Sequence, residues 1–163
     1  MKNNKLLPIL GGVLGVAAIL VFFLTRGVPG NTPAAEKLPL LQAAQKAIPG
    51  LDSMTDYDGD EFFDIVGVSP DEYTEFLYRT GENEKGLVAR EALIVRARDA
   101  EAAKRVLEVF NHYHAQRETE TRSYAPDIYQ MLEKSSVSLK NNTVALLISE
   151  NSAAETAAFL AGE

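Results

Sequence analysis

Carboxylates crowd one short stretch of this 163-residue chain, Asp56-Tyr57-Asp58-Gly59-Asp60-Glu61. Hard cations such as calcium want several oxygen ligands around a glycine turn, so a calcium loop is the first chemistry to consider. The spacing fails in both frames. With Asp56, Asp58 and Asp60 at positions one, three and five, position six is Glu61 and position twelve is Gly67; with Gly59 at position six, Met54 comes first and Ile65 last. The stretch reads instead as a capped, solvated acidic turn. His112 and His114 suggest a metal pair, but residues two apart on a helix point about 200° from one another, so one surface and one partly packed histidine are expected. No Gly-x-Ser-x-Gly occurs, and with both histidines on one helix a serine triad would need an unusual geometry. Gly81 to Gly86 (GENEKG) joins two strands rather than opening a helix, which makes it a hairpin turn and not a phosphate loop. The sequence therefore predicts no catalytic residue, no metal and no cofactor.

Three residues stand out as candidates for binding. Tyr124 precedes Pro126-Asp127, where a tyrosine can pack its ring under a sheet while its hydroxyl caps a turn or meets a ligand. Pro126 starts the helix there. Glu91 interrupts an otherwise apolar strand. It is either solvated at the strand's start or meets a basic or hydroxyl partner from the long helix that follows.

The elements that must position these residues follow from apolar periodicity. Leu40, Leu41, Ala44, Ala47 and Ile48 recur at helical spacing until Pro49-Gly50 stops them. A short helix over Asp60 to Val66 buries Phe62, Phe63 and Val66. Ser69-Pro70-Asp71-Glu72 is a capped turn before a strand from Tyr73 to Thr80. A second strand, Leu87 to Arg98, alternates Leu93, Val95 and Ala97 against Ile94, Arg96 and Arg98, as suits a sheet covered on one face. Asp99 caps the longest helix, with stripe Ala102, Ala103, Val106, Phe110 and Tyr113, and Glu101 is placed to pair with Arg105. It breaks at Ser123 to Asp127, and a short helix runs to about Lys134. Ser136 to Lys140 and Thr143 to Ser149 are strands joined by a tight primed turn at Asn141-Asn142. Ser152 caps a last helix presenting Ala153, Ala157 and Leu160. The expected class is α+β: one domain over 34–163 with an antiparallel four-stranded sheet, order α-α-ββα(α)ββα, and helices mainly on one face.

Taken together, Arg90-Glu91-Ala92-Leu93-Ile94-Val95 leading into Arg98-Asp99, then Tyr124-x-Pro126-Asp127, then the Asn141-Asn142 hairpin into Val144 to Ile148, resemble the domain of unknown function 4358 family. The resemblance runs from about Ala34 to the C-terminus. It implies an exported bacterial protein, mostly of Gram-positive clostridial lineages, and carries no catalytic activity with it. Members are typically lipoproteins with a cysteine after the signal. This chain has no cysteine, so lipid anchoring is not carried over and a disulfide framework or thiolate zinc site is excluded.

Compartment is read from the other end of the chain. Leu6 to Leu24 is an uncharged run of 19 residues, which as a helix spans ~28 Å, close to the hydrocarbon thickness of a bilayer. Its Leu, Ile, Val and Phe residues contribute roughly −4 to −8 kcal/mol before Pro8 and the glycines subtract. Lys2 and Lys5 precede it, so residues 1–5 are expected in the cytoplasm, 6–24 as a transmembrane signal anchor, 25–33 (including GVPGNTP) as a linker, and the domain outside. A cleaved signal would want a shorter core and a small-x-small site, and Pro33-Ala34-Ala35 places proline in it. Gly11 and Gly15 form one GxxxG pair, a weak dimer signal. Beyond Arg26 there are 13 basic and 23 acidic residues, a net charge of −10 that argues against nucleic acid and anionic headgroups. The sequence thus points to a membrane-anchored extracytoplasmic module that binds an envelope protein or a small ligand. The other class is a cell-envelope hydrolase pairing Glu91 with a carboxylate of the Asp56 to Asp64 segment.

Overall fold

The computed structural model describes residues 38–163. The expected membrane segment 6–24 and the linker lie outside them. Among the described residues no helix is long and apolar enough to cross a membrane, and the fold class is corrected to an α+β domain with a five-stranded antiparallel sheet.

Helix α1 (Leu40–Ala47) leads through Gly50 and a 3-10 turn to a two-residue strand β1 (Thr55–Asp56) and helix α2 (Gly59–Val66). A second 3-10 turn, Pro70–Glu72, precedes β2 (Tyr73–Glu82) and β3 (Val88–Ala97). The long α3 (Ala100–Thr121) and α4 (Pro126–Lys134) follow, then β4 (Ser138–Lys140), β5 (Thr143–Ile148) and α5 (Ser152–Ala161). The strand order is β1-β2-β3-β5-β4. β1 is the strand that periodicity missed, because two residues carry no alternation; it pairs Thr55 with Thr80 and Asp56 with Arg79.

Local chemistry explains the ends of these elements. Asp58 caps α2 by accepting from the amides of Asp60 and Glu61 at 3.0 Å each, while the Glu61 side chain accepts from the Asp58 amide, a reciprocal capping box. Asp99 caps α3 through the Ala102 amide at 2.8 Å. In the β2–β3 turn the Asn83 side chain accepts from the amides of Lys85 and Leu87. At Asn141-Asn142 only Asn141 takes a positive φ, 54°, so the turn is not the doubly left-handed one expected.

Helices cover both faces of the sheet, not one. On one face Phe62 and Val66 of α2, Val106, Phe110 and Tyr113 of α3, and Ile128 and Leu132 of α4 pack on Tyr78, Leu93, Val95, Val144 and Leu146. On the other, Leu40 and Ala44 of α1, Leu51 and Phe159 of α5 pack on Leu77, Ala92, Ile94, Ala145 and Leu147. The one-faced expectation came from Arg96 among the outward residues of β3. Its side chain is in fact 12% exposed, held between the carboxylates of Glu75 and Glu163, with Glu163 also accepting from Thr143. Three helix faces need correcting. Phe63 of α2 is 48% exposed; α5 buries Ser152, Glu155, Thr156 and Phe159 instead of Ala153 and Ala157, with Asn151 and not Ser152 as its N-cap residue; and Arg105 pairs with Glu72 at 2.8 Å while Glu101 pairs with Lys104.

Candidate functional site

Glu91 is 2% exposed, so the solvated reading of it gives way. It lies on β3 between Thr80 of β2 and Ile148 of β5 and faces α3. A carboxylate there must have its oxygens satisfied. The Tyr113 hydroxyl donates to Oε2 at 2.5 Å and Arg117 Nε donates to Oε1 at 2.8 Å. Arg117 also donates to the Val88 carbonyl at 3.1 Å. The Tyr113 and Tyr78 hydroxyls are 3.4 Å apart, and the Tyr78 ring packs on that of Tyr57 with centroids 4.7 Å apart. Burial pushes the Tyr78 hydroxyl up to about 12. Burial also raises Tyr113, and the Glu91 charge adds to the effect. Desolvation opposes the charge on Arg117, but Glu91 more than offsets it and holds the guanidinium above its ordinary value. Tyr113 and Arg117 thus stand neutral and charged respectively around a buried carboxylate that accepts one hydrogen bond on each oxygen.

The carboxylates expected to partner Glu91 do not reach it. Asp56 pairs with Arg79 at 3.0 Å, on the sheet face opposite Glu91, where Arg79 also donates to the Leu51 carbonyl. Asp58 is occupied as a helix cap. Tyr124 is 58% exposed just past α3, so its ring does not lie under the sheet; Pro126 is exposed at the first position of α4. Glu91, Tyr124 and Pro126 are not brought into one site. His112 is exposed, and His114 Nε2 lies 3.0 Å from the Leu132 carbonyl and 2.9 Å from Ser135 Oγ. Among the described residues no group of three or more histidine, aspartate or glutamate side chains is placed to hold a metal ion.

A different place gathers open chemistry. At one end of the sheet a 570 Å³ cleft is walled by the β2–β3 hairpin (Glu82, Asn83, Ala89, Arg90), by the first turns of α4 (Asp127, Ile128, Met131) and by the β5–α5 turn (Ser149, Glu150, Asn151), with Pro49 and Glu155 completing it. Its size is that of an ordinary ligand site. Ala89, Ile128 and Met131 make an apolar floor. Arg90 is held by one hydrogen bond, from Nη2 to the Pro49 carbonyl at 2.8 Å. It lies against Gly50, where the backbone takes φ +73° and an added Cβ would approach Arg90 Nη1 to 3.3 Å, so glycine serves both the turn and the arginine. Among the described residues no carboxylate forms an ion pair with Arg90. Glu155 is buried, and its Oε2 accepts from Ser149 Oγ at 2.8 Å. Sequence reasoning missed this cleft as a site. The available signals were Ser149, a polar end to an all-apolar strand, and the position of Arg90 and Asp127 inside segments already singled out.

The architecture defines a small α+β domain whose sheet is sandwiched between helices, with a cleft at one end. The profile of the family described as Domain of unknown function (DUF4358) matches residues 49–149, and the chain belongs to that family. No curated protein and no solved structure matches it.

Proposed function

We propose that this protein is a membrane-attached, extracytoplasmic binding module whose ligand occupies the cleft at the end of the sheet. The observation that carries the reading is a guanidinium with no carboxylate partner among the described residues, Arg90, lining a 570 Å³ cleft with an apolar floor. Ligand pockets combine such apolar area with a few convergent polar groups. The buried Glu91, with a donor on each oxygen, is read as a structural tie between β3 and α3. Attachment is supported by the uncharged run 6–24 behind Lys2 and Lys5, and the −10 charge beyond it disfavours nucleic acid as partner.

Solvent mapping tests the site. In an NMR titration of the protein with isopropanol and acetonitrile, shifts should concentrate on Ala89, Ile128, Met131 and Asn151. They should vanish in Asn151→Trp, a substitution at a position whose side chain caps nothing. Shifts scattered over the surface without preference for the cleft would discard it as the ligand site.

One observation favours a second reading, the envelope hydrolase: Glu82, Asp127, Glu150 and Glu155 all line the same cleft. Under that reading Asp127→Asn or Glu150→Gln abolishes turnover of an envelope glycan while leaving its binding intact. Under the binding reading there is no turnover to abolish.

A further inference from the structure

Taking the cleft as the ligand site, as proposed above, we infer that its ligand is a short peptide with both termini free, its carboxylate on Arg90 and its ammonium on Asp127 and Glu150. Charge makes the first part of the case. The cleft holds four carboxylates, Glu82, Asp127, Glu150 and Glu155, against the single guanidinium of Arg90. A purely anionic ligand meets repulsion from all four. A purely cationic one meets Arg90, which has no carboxylate counterion among the described residues. A ligand bearing both charges neutralises both sets of groups.

Geometry makes the second part. Arg90 comes from the β2–β3 hairpin, and Asp127 and Glu150 from the far walls, α4 and the β5–α5 turn. Among the described residues neither acid forms an ion pair with Arg90, whose guanidinium is held at the Pro49 carbonyl, so the cation and the two acids stand on separate walls of the cleft. Arg90 has one of its donors committed, to the Pro49 carbonyl, which leaves others of the guanidinium fork for the paired oxygens of a carboxylate. Asp127 sits in the first turn of α4 and, among the described residues, engages no other side chain in a hydrogen bond or ion pair.

Length makes the third. A second hollow of 530 Å³ shares Asp127, Met131, Glu150 and Asn151 with the cleft and extends it along α4 past Gln130 to Lys134. The cleft by itself, at 570 Å³, is larger than a single amino acid fills, and the second hollow, which carries Lys134, opens beyond the acids that take the ammonium, where a side chain near the amino end can extend. Met131, at their junction, offers a flexible apolar surface that adapts to different ligand side chains. The amino and carboxyl groups therefore fix the peptide's direction, and the side chains are read loosely.

The test is an NMR titration of the full chain in detergent micelles with trialanine, N-acetyl-trialanine and trialanine amide. Trialanine should shift the cleft resonances saturably, and each cap should weaken binding by about tenfold or more, as expected for losing one charge-assisted pair. In Arg90→Gln, trialanine and its amide should bind alike. In Glu150→Gln, and independently in Asp127→Asn, trialanine and its acetylated form should converge. Equal binding of capped and free peptides by the unaltered protein would overturn the inference, as would discrimination that survives Arg90→Gln. Cleft shifts with isopropanol and acetonitrile but none with any trialanine form would overturn this ligand class and leave the cleft as a site. Absence of both would remove the site itself.

Discussion

Glu91, Tyr113 and Arg117 make a buried charge pair with a hydroxyl lid, and the energetics of such pairs are asymmetric. Removing one partner strands the other, at a cost of about 3 kcal/mol, whereas replacing both by apolar residues of similar volume is close to neutral. Glu91→Leu should therefore lower the urea midpoint sharply, and Glu91→Leu with Arg117→Met should recover most of the loss; a double variant worse than the single would show that Arg117 stabilises through other contacts. The tyrosines add a pH dependence of known sign. The Tyr78 hydroxyl titrates near 10 in the unfolded chain and is pushed up to about 12 in the fold. The folded state keeps a proton that the unfolded state releases, so stability is intact below pH 10 and declines as pH rises from 10 toward 12. Tyr113 is raised in the same direction. In Tyr78→Phe the alkaline decline, followed by denaturant unfolding, should be shallower. Half of this site was legible beforehand. The stripe Val106, Phe110, Tyr113 extended by one more helical step of four reaches Arg117, opposite the glutamate on the neighbouring strand. The end cleft was not, because Arg90, Asp127 and Glu150 meet only when three distant segments converge, and no local spacing encodes that.

Among the elements, helices were the easiest to read, since α1 to α4 each carry a stripe and a stop. The α5 face was harder. Alanines surround it, so its apolar pattern is nearly isotropic, and the single Phe159 decides which side goes in. The second covered face of the sheet was hidden for a related reason: Arg96 looks solvated in sequence and is sequestered only by Glu75 on β2 and Glu163 beyond α5. A sheet packed on both faces makes a quantitative forecast. Phe110 under α3 and Phe159 under α5 are 0% and 2% exposed, and truncating either to alanine should cost about 3 to 5 kcal/mol, measured by chemical denaturation. A loss under about 0.5 kcal/mol for Phe159→Ala, the range of surface changes, would mean that α5 does not close the second face.

For the molecule as a whole, the proposed attachment leads to a topology experiment. A reporter enzyme that works only outside the cytoplasm, fused after Glu163, should be active, and the fusion should sediment with membranes. Activity of a cytoplasmic reporter at that position would reverse the orientation argued from Lys2 and Lys5. The strand order carries a separate consequence, for the time the chain takes to fold. β2 with β3 and β4 with β5 are hairpins closed by their own turns, at Asn83 to Gly86 and at Asn141. The contact that joins them sets Glu91 beside Ile148 and Arg96 beside Thr143, with all of α3 and α4 intervening in sequence. Closing so long a loop loses chain entropy before any contact compensates, and pairings of this kind set the speed of folding. The slow step is therefore expected to be the docking of two ready-made halves along β3 and β5. Since Tyr113 and Arg117 of α3 grip Glu91 on the first of those strands, the helix that completes the first half also holds its docking edge in place for the second.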